Sequence, residues 1–420
     1  MSIFIKNIKK LVNVRETAPS VPLRGEEMLS LPCLDDAWLL TDGESIAAVG
    51  RMQDLKPEEL EAMEISADEV IDAEGRMVFP SYCDSHTHLV YAGSREMEFM
   101  DKLRGLSYQE IARRGGGILN SVELLHNTPE DDLLQQTLVR AWEIISLGTG
   151  AVEIKSGYGL TVEDEVKMLR VARRVGEETP LKVRATFLGA HAVPARYKGN
   201  REGYVDEIIR DIMPAVAAEG LADYVDIFAE EGFFTVEDAS RIFEAAARYG
   251  MVPKVHANQM SFSGGVQVGV RYGAASVDHL EFTGPDEFKA LQDSGTIATL
   301  LPGATFFLDM DYPRAKDMLE YGLPLAIASN YNPGSCPSGD MKFMMALAMI
   351  KMRLTPETVL NAATVNGSFA MGVASEYGSI TPGKKASFFI TKKIPSYEFV
   401  PYSFTSQLIE NIILNGKIYG

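Results

Sequence analysis

A chain of 420 residues, 46% of them hydrophobic, can bury a large core, and no apolar run reaches the ~18 residues that carry a helix across a bilayer. Its 58 acidic against 40 basic residues leave a formal charge of -18, which repels phosphate backbones and argues against nucleic acid as a partner. Cys33, Cys83 and Cys336 are unclustered, which argues against a disulfide frame or a thiolate metal site; with no signal-peptide pattern at the start, a cytoplasmic protein in a reducing compartment is expected.

In chain order, residues 1–76 carry short strand patterns (MSIFIKNIKKLV, AWLLTDGESIAAVG, DEVIDAEG) and one short helical stretch over 57–63. Eight apolar runs follow, at 77–88, 151–158, 182–191, 224–231, 253–259, 276–281, 296–303 and 323–330. Helix punctuation lies between them. Thr128-Pro-Glu-Asp131 and Thr235-Val-Glu-Asp238 look like N-caps with an acid three places on, and Gly148, Gly250, Gly273, Gly295 and Gly322 stand where helices should stop. Strands alternating with helices eight times predict an α/β fold, a parallel (β/α)8 TIM-type barrel. The chain's end returns to strand character (ASFFITKK, NIILNGKIYG). The expected organisation is a barrel over 77–372 and a small β-sandwich domain assembled from 1–76 and 373–420, because neither terminal piece buries enough surface alone.

The six histidines then fall in a pattern. His86 and His88 end the first run and share a face at i and i+2; His191 ends the third, and His256 and His279 lie near the ends of the fifth and sixth. Only His126 stands in a helical segment, as a solvated or capping residue. Chemistry in such a barrel sits at the C-terminal strand ends, and clustered neutral imidazoles there are suited to a divalent metal. The fourth run, DYVDIFAEE, has no lysine to form a bridging carbamate, so one metal is expected rather than two. Lys155 reads equally as a desolvated general base or as a wall residue beside Glu153. Cys83 should face away from His86 and pack.

With these residues in place, the chain resembles the amidohydrolase superfamily and, within it, the imidazolonepropionase family of histidine degradation. The likeness spans nearly the whole chain: Asp84-Ser-His-Thr-His-Leu-Val-Tyr-Ala-Gly-Ser-Arg95 with Glu98-Phe99, Arg114-Gly-Gly-Gly-Ile118, Glu153-Ile-Lys-Ser-Gly-Tyr-Gly-Leu160, Leu188-Gly-Ala-His-Ala192, Val277-Asp-His-Leu-Glu281 and Asn332-Pro-Gly-Ser335. The His-Thr-His is common to many amidohydrolases; the Ser-Gly-Tyr-Gly-Leu and Asn-Pro-Gly-Ser segments are narrower. The resemblance implies one zinc or iron ion held by His86, His88, His256 and the residue at 330. It implies hydrolysis of the cyclic amide of 4-imidazolone-5-propanoate to N-formimidoyl-L-glutamate. Arg95 and Tyr158 would contact the substrate, His191 would lie beside its ring, and Asn332, Gly334 and Ser335 would hold the propanoate side. His279 suits carbonyl polarisation or proton handling, and a homodimer is a family expectation. The alternatives are a mononuclear aminohydrolase of a heterocycle and a catalytically silent small-molecule binder.

Two positions depart from the family's pattern. Gln259 replaces a carboxylate expected to handle protons, and Asn330 stands where an aspartate ligates metal and takes a proton from water. An amide oxygen can touch a metal but carries no charge and is no base. Three explanations stand for Asn330: a substitution that traps substrate, another base such as His279, or lost catalysis. Gln259 could hydrogen-bond the substrate instead.

Overall fold

The computed structural model describes residues 1–106 and 117–419; positions 114–116 of the glycine-rich motif lie outside them. Sixteen strands form two sheets among the described residues. The N-terminal strands are β1 Ile3–Val12, β2 Cys33–Asp42, β3 Ser45–Arg51, β4 Glu69–Asp72 and β5 Met77–Pro80. Eight more build the barrel: β6 Tyr82–Thr87, β7 Thr149–Lys155, β8 Lys182–Ala190, β9 Tyr224–Ala229, β10 Val252–Ala257, β11 Ser276–His279, β12 Ile297–Leu300 and β13 Leu325–Ile327. The last three are β14 Phe388–Thr391, β15 Ile409–Leu414 and β16 Lys417–Tyr419.

β6 to β13 pair in chain order, all parallel, with helices in the connections. Covered on both faces, such strands read as unbroken apolar runs, and β6, β7, β9, β11, β12 and β13 are buried at every position. The barrel closes through chain just beyond β13. Asn330 N–H donates to the His86 carbonyl and His88 N–H to the Tyr331 carbonyl, each at 2.9 Å. The buried Asp84 carboxylate clasps the same seam, accepting from Ser329 N–H at 2.9 Å and its hydroxyl at 2.5 Å. Closure therefore delivers Asn330 to the His86–His88 edge.

The other sheet is mixed, in the order β16-β15-β14-β5-β1-β2-β3, with β4 also on β1. Strands from the C-terminus thus flank β5, and both termini contribute to one core of Ile3, Ile5, Ile8, Val78, Phe388, Ile390 and Ile413. The 77–88 run, expected as one strand, is two. Met77–Pro80 pairs with β1 and β14, while Tyr82–Thr87 pairs with β7. The switch is at Ser81, whose N–H reaches Ser387 of the small sheet while Tyr82 N–H reaches Gly148 at the barrel. Gly150 permits the crossing, since a Cβ there would lie 2.3 Å from Ser81 Oγ.

Caps form where the pattern placed one. Thr235 Oγ1 accepts from Asp238 N–H at 3.2 Å and Asp238 accepts from Thr235 N–H at 2.9 Å, opening the helix Val236–Ala246. At Thr128-Pro-Glu-Asp131 the helix instead starts at Glu130, after Pro129, with no side-chain cap.

Because Asp84 satisfies two buried donors at the seam, Asp84→Ala should lower the unfolding free energy by about 3 kcal/mol, read by chemical denaturation. A change under about 0.5 kcal/mol would mean that the seam does not depend on it.

Candidate active site

At the C-terminal ends of the barrel strands the histidine rings gather. The His86 and His88 centroids are 5.3 Å apart, those of His86 and His256 4.5 Å, and those of His256 and His279 5.4 Å. His86 Nδ1 lies 2.6 Å from Asp278 Oδ2 and His256 Nδ1 lies 3.0 Å from Asp226 Oδ2. A carboxylate can only accept, so each contact puts the proton on Nδ1 and leaves a lone pair on Nε2. His86 Nε2 is buried with no partner among the described residues, and His256 Nε2 lies 3.3 Å from His88 Nε2. Lone pairs converging in a dry space are unfavourable unless a cation lies between them. Ligand atoms of His86, His256 and His279 lie within 4.8 Å of one another, and Asn330 Oδ1 is a further buried, unpartnered acceptor among the described residues. These donors fit a metal ion.

Burial holds the imidazoles neutral. It pushes the His86 and His88 pKa well below the usual imidazole value, with Lys155 adding most for His86 and His191 for His88. It also lowers His256, although Asp226 opposes that, and takes His191 down to about 3 with help from His256. Neutral rings are what metal ligation requires.

Beneath the rings lies a buried charged floor. Lys155 Nζ is 2.6 Å from Glu153, 2.8 Å from Asp226 and 3.7 Å from Asp278, and Lys254 also pairs with Glu153. Burial disfavours the Lys155 ammonium, but Asp226, Glu153 and Asp278 outweigh it and raise its pKa. Of the two readings of Lys155, the wall residue is what the packing favours: a fully paired ammonium has no lone pair to act as a base.

A cavity of about 390 Å³ opens above the histidines. Every candidate residue except His86 lines it: His88, His191, His256 and His279 with Asn330 at the barrel end, Tyr158 and Gln259 on the walls, and Arg95, Asn332, Gly334 and Ser335 elsewhere. His191 stacks on His88 at 5.1 Å, its Nδ1 3.1 Å from the Gly157 carbonyl. The buried Glu165 accepts Gly159 and Leu160 N–H, both at 2.9 Å, and so fixes the loop carrying Tyr158. Gln259 is anchored by its N–H on Glu230 at 2.8 Å. Arg95 both lines the cavity and pairs with Glu98, through Nε at 3.0 Å and Nη2 at 2.6 Å. Gly334 leaves room for the guanidinium, since a Cβ there would fall 2.2 Å from Arg95 Nη1 and displace it. Asn332 Oδ1 takes the N–H groups of both Gly334 and Ser335 at 2.8 Å, so those donors are engaged within the turn.

Two readings made outside the site agree with the packing. His126 is mostly exposed and contacts Asp164 at 2.7 Å, and Cys83 packs with Ala151, Met371, Val373 and Tyr377. The sequence reading passed over Asp226, Asp278, Lys254 and Lys102, together with the apolar lining of Phe228, Phe233 and Leu308. An acid inside an otherwise apolar strand, as in YVDIFA and SVDH, was the available signal for the first two.

A model of the amidohydrolase family matches residues 77–419. The imidazolonepropionase of Flavobacterium johnsoniae is 50% identical over 418 residues, 100% of each chain. The chain belongs to the imidazolonepropionase family of amidohydrolases. The imidazolonepropionase of Alkaliphilus metalliredigens is 37% identical over 100% of this chain and 98% of its own. Among solved structures, atrazine chlorohydrolase from Arthrobacter aurescens complexed with zinc superposes with a TM-score of 0.71 at 14% identity, covering 99% of this chain and 94% of its own. An adenosine deaminase from Xanthomonas campestris with bound zinc gives 0.67 at 16%, covering 99% and 92%. These two likenesses establish the barrel fold. No helix among the described residues is long and apolar enough to cross a membrane.

Two outcomes follow from the buried charges. Lys155→Met leaves Asp226 and Glu153 short of a counter-charge and should destabilise the protein by about 3–5 kcal/mol in denaturant titrations. In metal-free protein, His86, His88, His191 and His256 bind protons less readily folded than unfolded. Their contribution to stability is complete above pH 6.5 and shrinks as pH falls from there toward the folded values, about 3 for His191. The thermal unfolding temperature of metal-free protein should therefore fall as pH drops from 6.5 to 5, and a flat profile would contradict neutral burial of the rings.

Proposed function

We propose that this cavity hydrolyses the cyclic amide of 4-imidazolone-5-propanoate to N-formimidoyl-L-glutamate, a step of histidine degradation. The observation that carries the reading is the full-length likeness to imidazolonepropionases. The cavity supports it, with neutral imidazoles at the barrel end and a cationic side chain on its wall. That likeness favours ring opening over removal of an exocyclic amine or silent binding.

The family is metal-dependent, and we assign one ion, zinc or iron, to His86, His88 and His256 with the Asn330 amide oxygen. Bound there, it would supply a Lewis acid and lower the pKa of water. The chain's own residues do the rest. Arg95 meets the substrate carboxylate, Tyr158 and His191 flank the ring, and Gln259 hydrogen-bonds a ring heteroatom. Asn332, Gly334 and Ser335 form the turn against which the propanoate lies. Water gives up a proton as it adds to the ring carbonyl, the carbonyl C–N bond breaks, and the departing nitrogen takes that proton from the group that accepted it. Asn330 and Gln259 are amides and cannot accept a proton, so this role falls to His279, whose Nδ1 lies 3.7 Å from Glu281.

Loss of imidazolone absorbance, with metal analysis of the same sample, tests the reading: turnover should scale with metal content. Fully metallated protein that leaves the ring intact would overturn it. At matched metal content, Asn330→Asp should raise turnover roughly ten-fold or more by restoring a base and a charged ligand. Equal rates would show that a carboxylate at 330 adds nothing.

A further inference from the structure

We infer that Lys102 is a second cation for the substrate's carboxylate and, with Arg95, selects an anionic side arm on the ring. The inference rests on the ring-opening reading above and adds a residue to it. Lys102 lies in the last turn of the helix Glu96–Leu103, half-buried, and lines the cavity. Its ammonium has no ion pair or side-chain hydrogen bond among the described residues. A half-buried ammonium without an acceptor is costly, and such a group awaits an anion.

The other donors near it are already engaged. Arg95 spends Nε and Nη2 on Glu98, whose second oxygen takes the Gly117 N–H at 2.9 Å. Only Nη1, facing Gly334, is left free by that pairing. The Gly334 and Ser335 N–H groups are held by Asn332. Among the described residues, a carboxylate entering this cavity therefore finds Lys102 as the cation without a direct ion pair. No aspartate or glutamate lines the cavity among the described residues, although the chain carries -18 overall. An ammonium with no direct ion pair among the described residues gives the site a local attraction that the molecule as a whole opposes. Burial, and after it the neighbouring Arg95, lower the Lys102 pKa, while Glu98 opposes them.

Steady-state kinetics of ring opening test this on metal-loaded protein with Lys102→Met and Lys102→Arg. Lys102→Met should raise KM roughly ten-fold with a much smaller change in kcat, and flatten the fall of kcat/KM with added salt; Lys102→Arg should restore most of both. Calorimetry supplies a readout independent of turnover, with imidazole-4-propanoate and its neutral propanamide as probes. Wild-type protein should prefer the carboxylate, and Lys102→Met should lose most of that preference. Unchanged KM and unchanged preference in Lys102→Met would overturn the inference while leaving ring opening intact. Wild-type protein that opens no ring would instead overturn the functional reading, with the probes still deciding on the lysine.

Discussion

Two carboxylate contacts set the character of this protein's site: the hydrogen bond between His86 and Asp278, and the 3.0 Å approach of His256 Nδ1 to Asp226. Each carboxylate draws the ring proton to Nδ1, so Nε2 is left as a bare lone pair. Both acids come from strands other than those of their histidines: Asp226 from the neighbour of the His256 strand, and Asp278 from a strand across the barrel, so closure is what aims the His86 lone pair. The site is therefore a consequence of closure rather than of any one motif.

Closure has an electrostatic cost. Three carboxylates and two ammonium groups lie in the barrel's interior, each with no solvent exposure to speak of, and such groups persist only when paired. Glu153, Lys155, Asp226, Lys254 and Asp278 pair across four strands, which ties the orientation of the acids to the packing of the whole sheet. Above that floor the surroundings change from charged to neutral. Buried imidazoles, Gln259 and Asn330 line the barrel end of the cavity, and cationic character returns at Arg95 and Lys102. An anionic, uncharged-ring substrate matches this division: its ring against neutral donors and its carboxylate against cations.

Much of the fold was legible, for physical reasons that differ by element. The eight strands were readable because strands buried on both faces appear as apolar runs, and the strand-end histidines because polar residues are rare there. The break at Ser81 was hidden, since both halves of 77–88 are extended and apolar and only their partners, residues of the far C-terminus and of β7, separate them. Lys155 left two readings because the sequence shows Glu153 beside it but not Asp226 or Asp278, which arrive from β9 and β11. The engagement of the Gly334 and Ser335 N–H groups by Asn332 was equally invisible, being a turn geometry rather than a residue pattern. The site residues themselves were nameable through resemblance; their partners needed the structure.

The central claim is that three imidazoles from two segments of the chain share one cation. Diffraction at the absorption edge of the metal, on crystals of the metal-loaded protein, tests it most directly. The account predicts one anomalous peak within about 2 Å of a ring nitrogen of each of His86, His88 and His256. A peak lying away from these rings, or none in protein shown to retain metal, would contradict it.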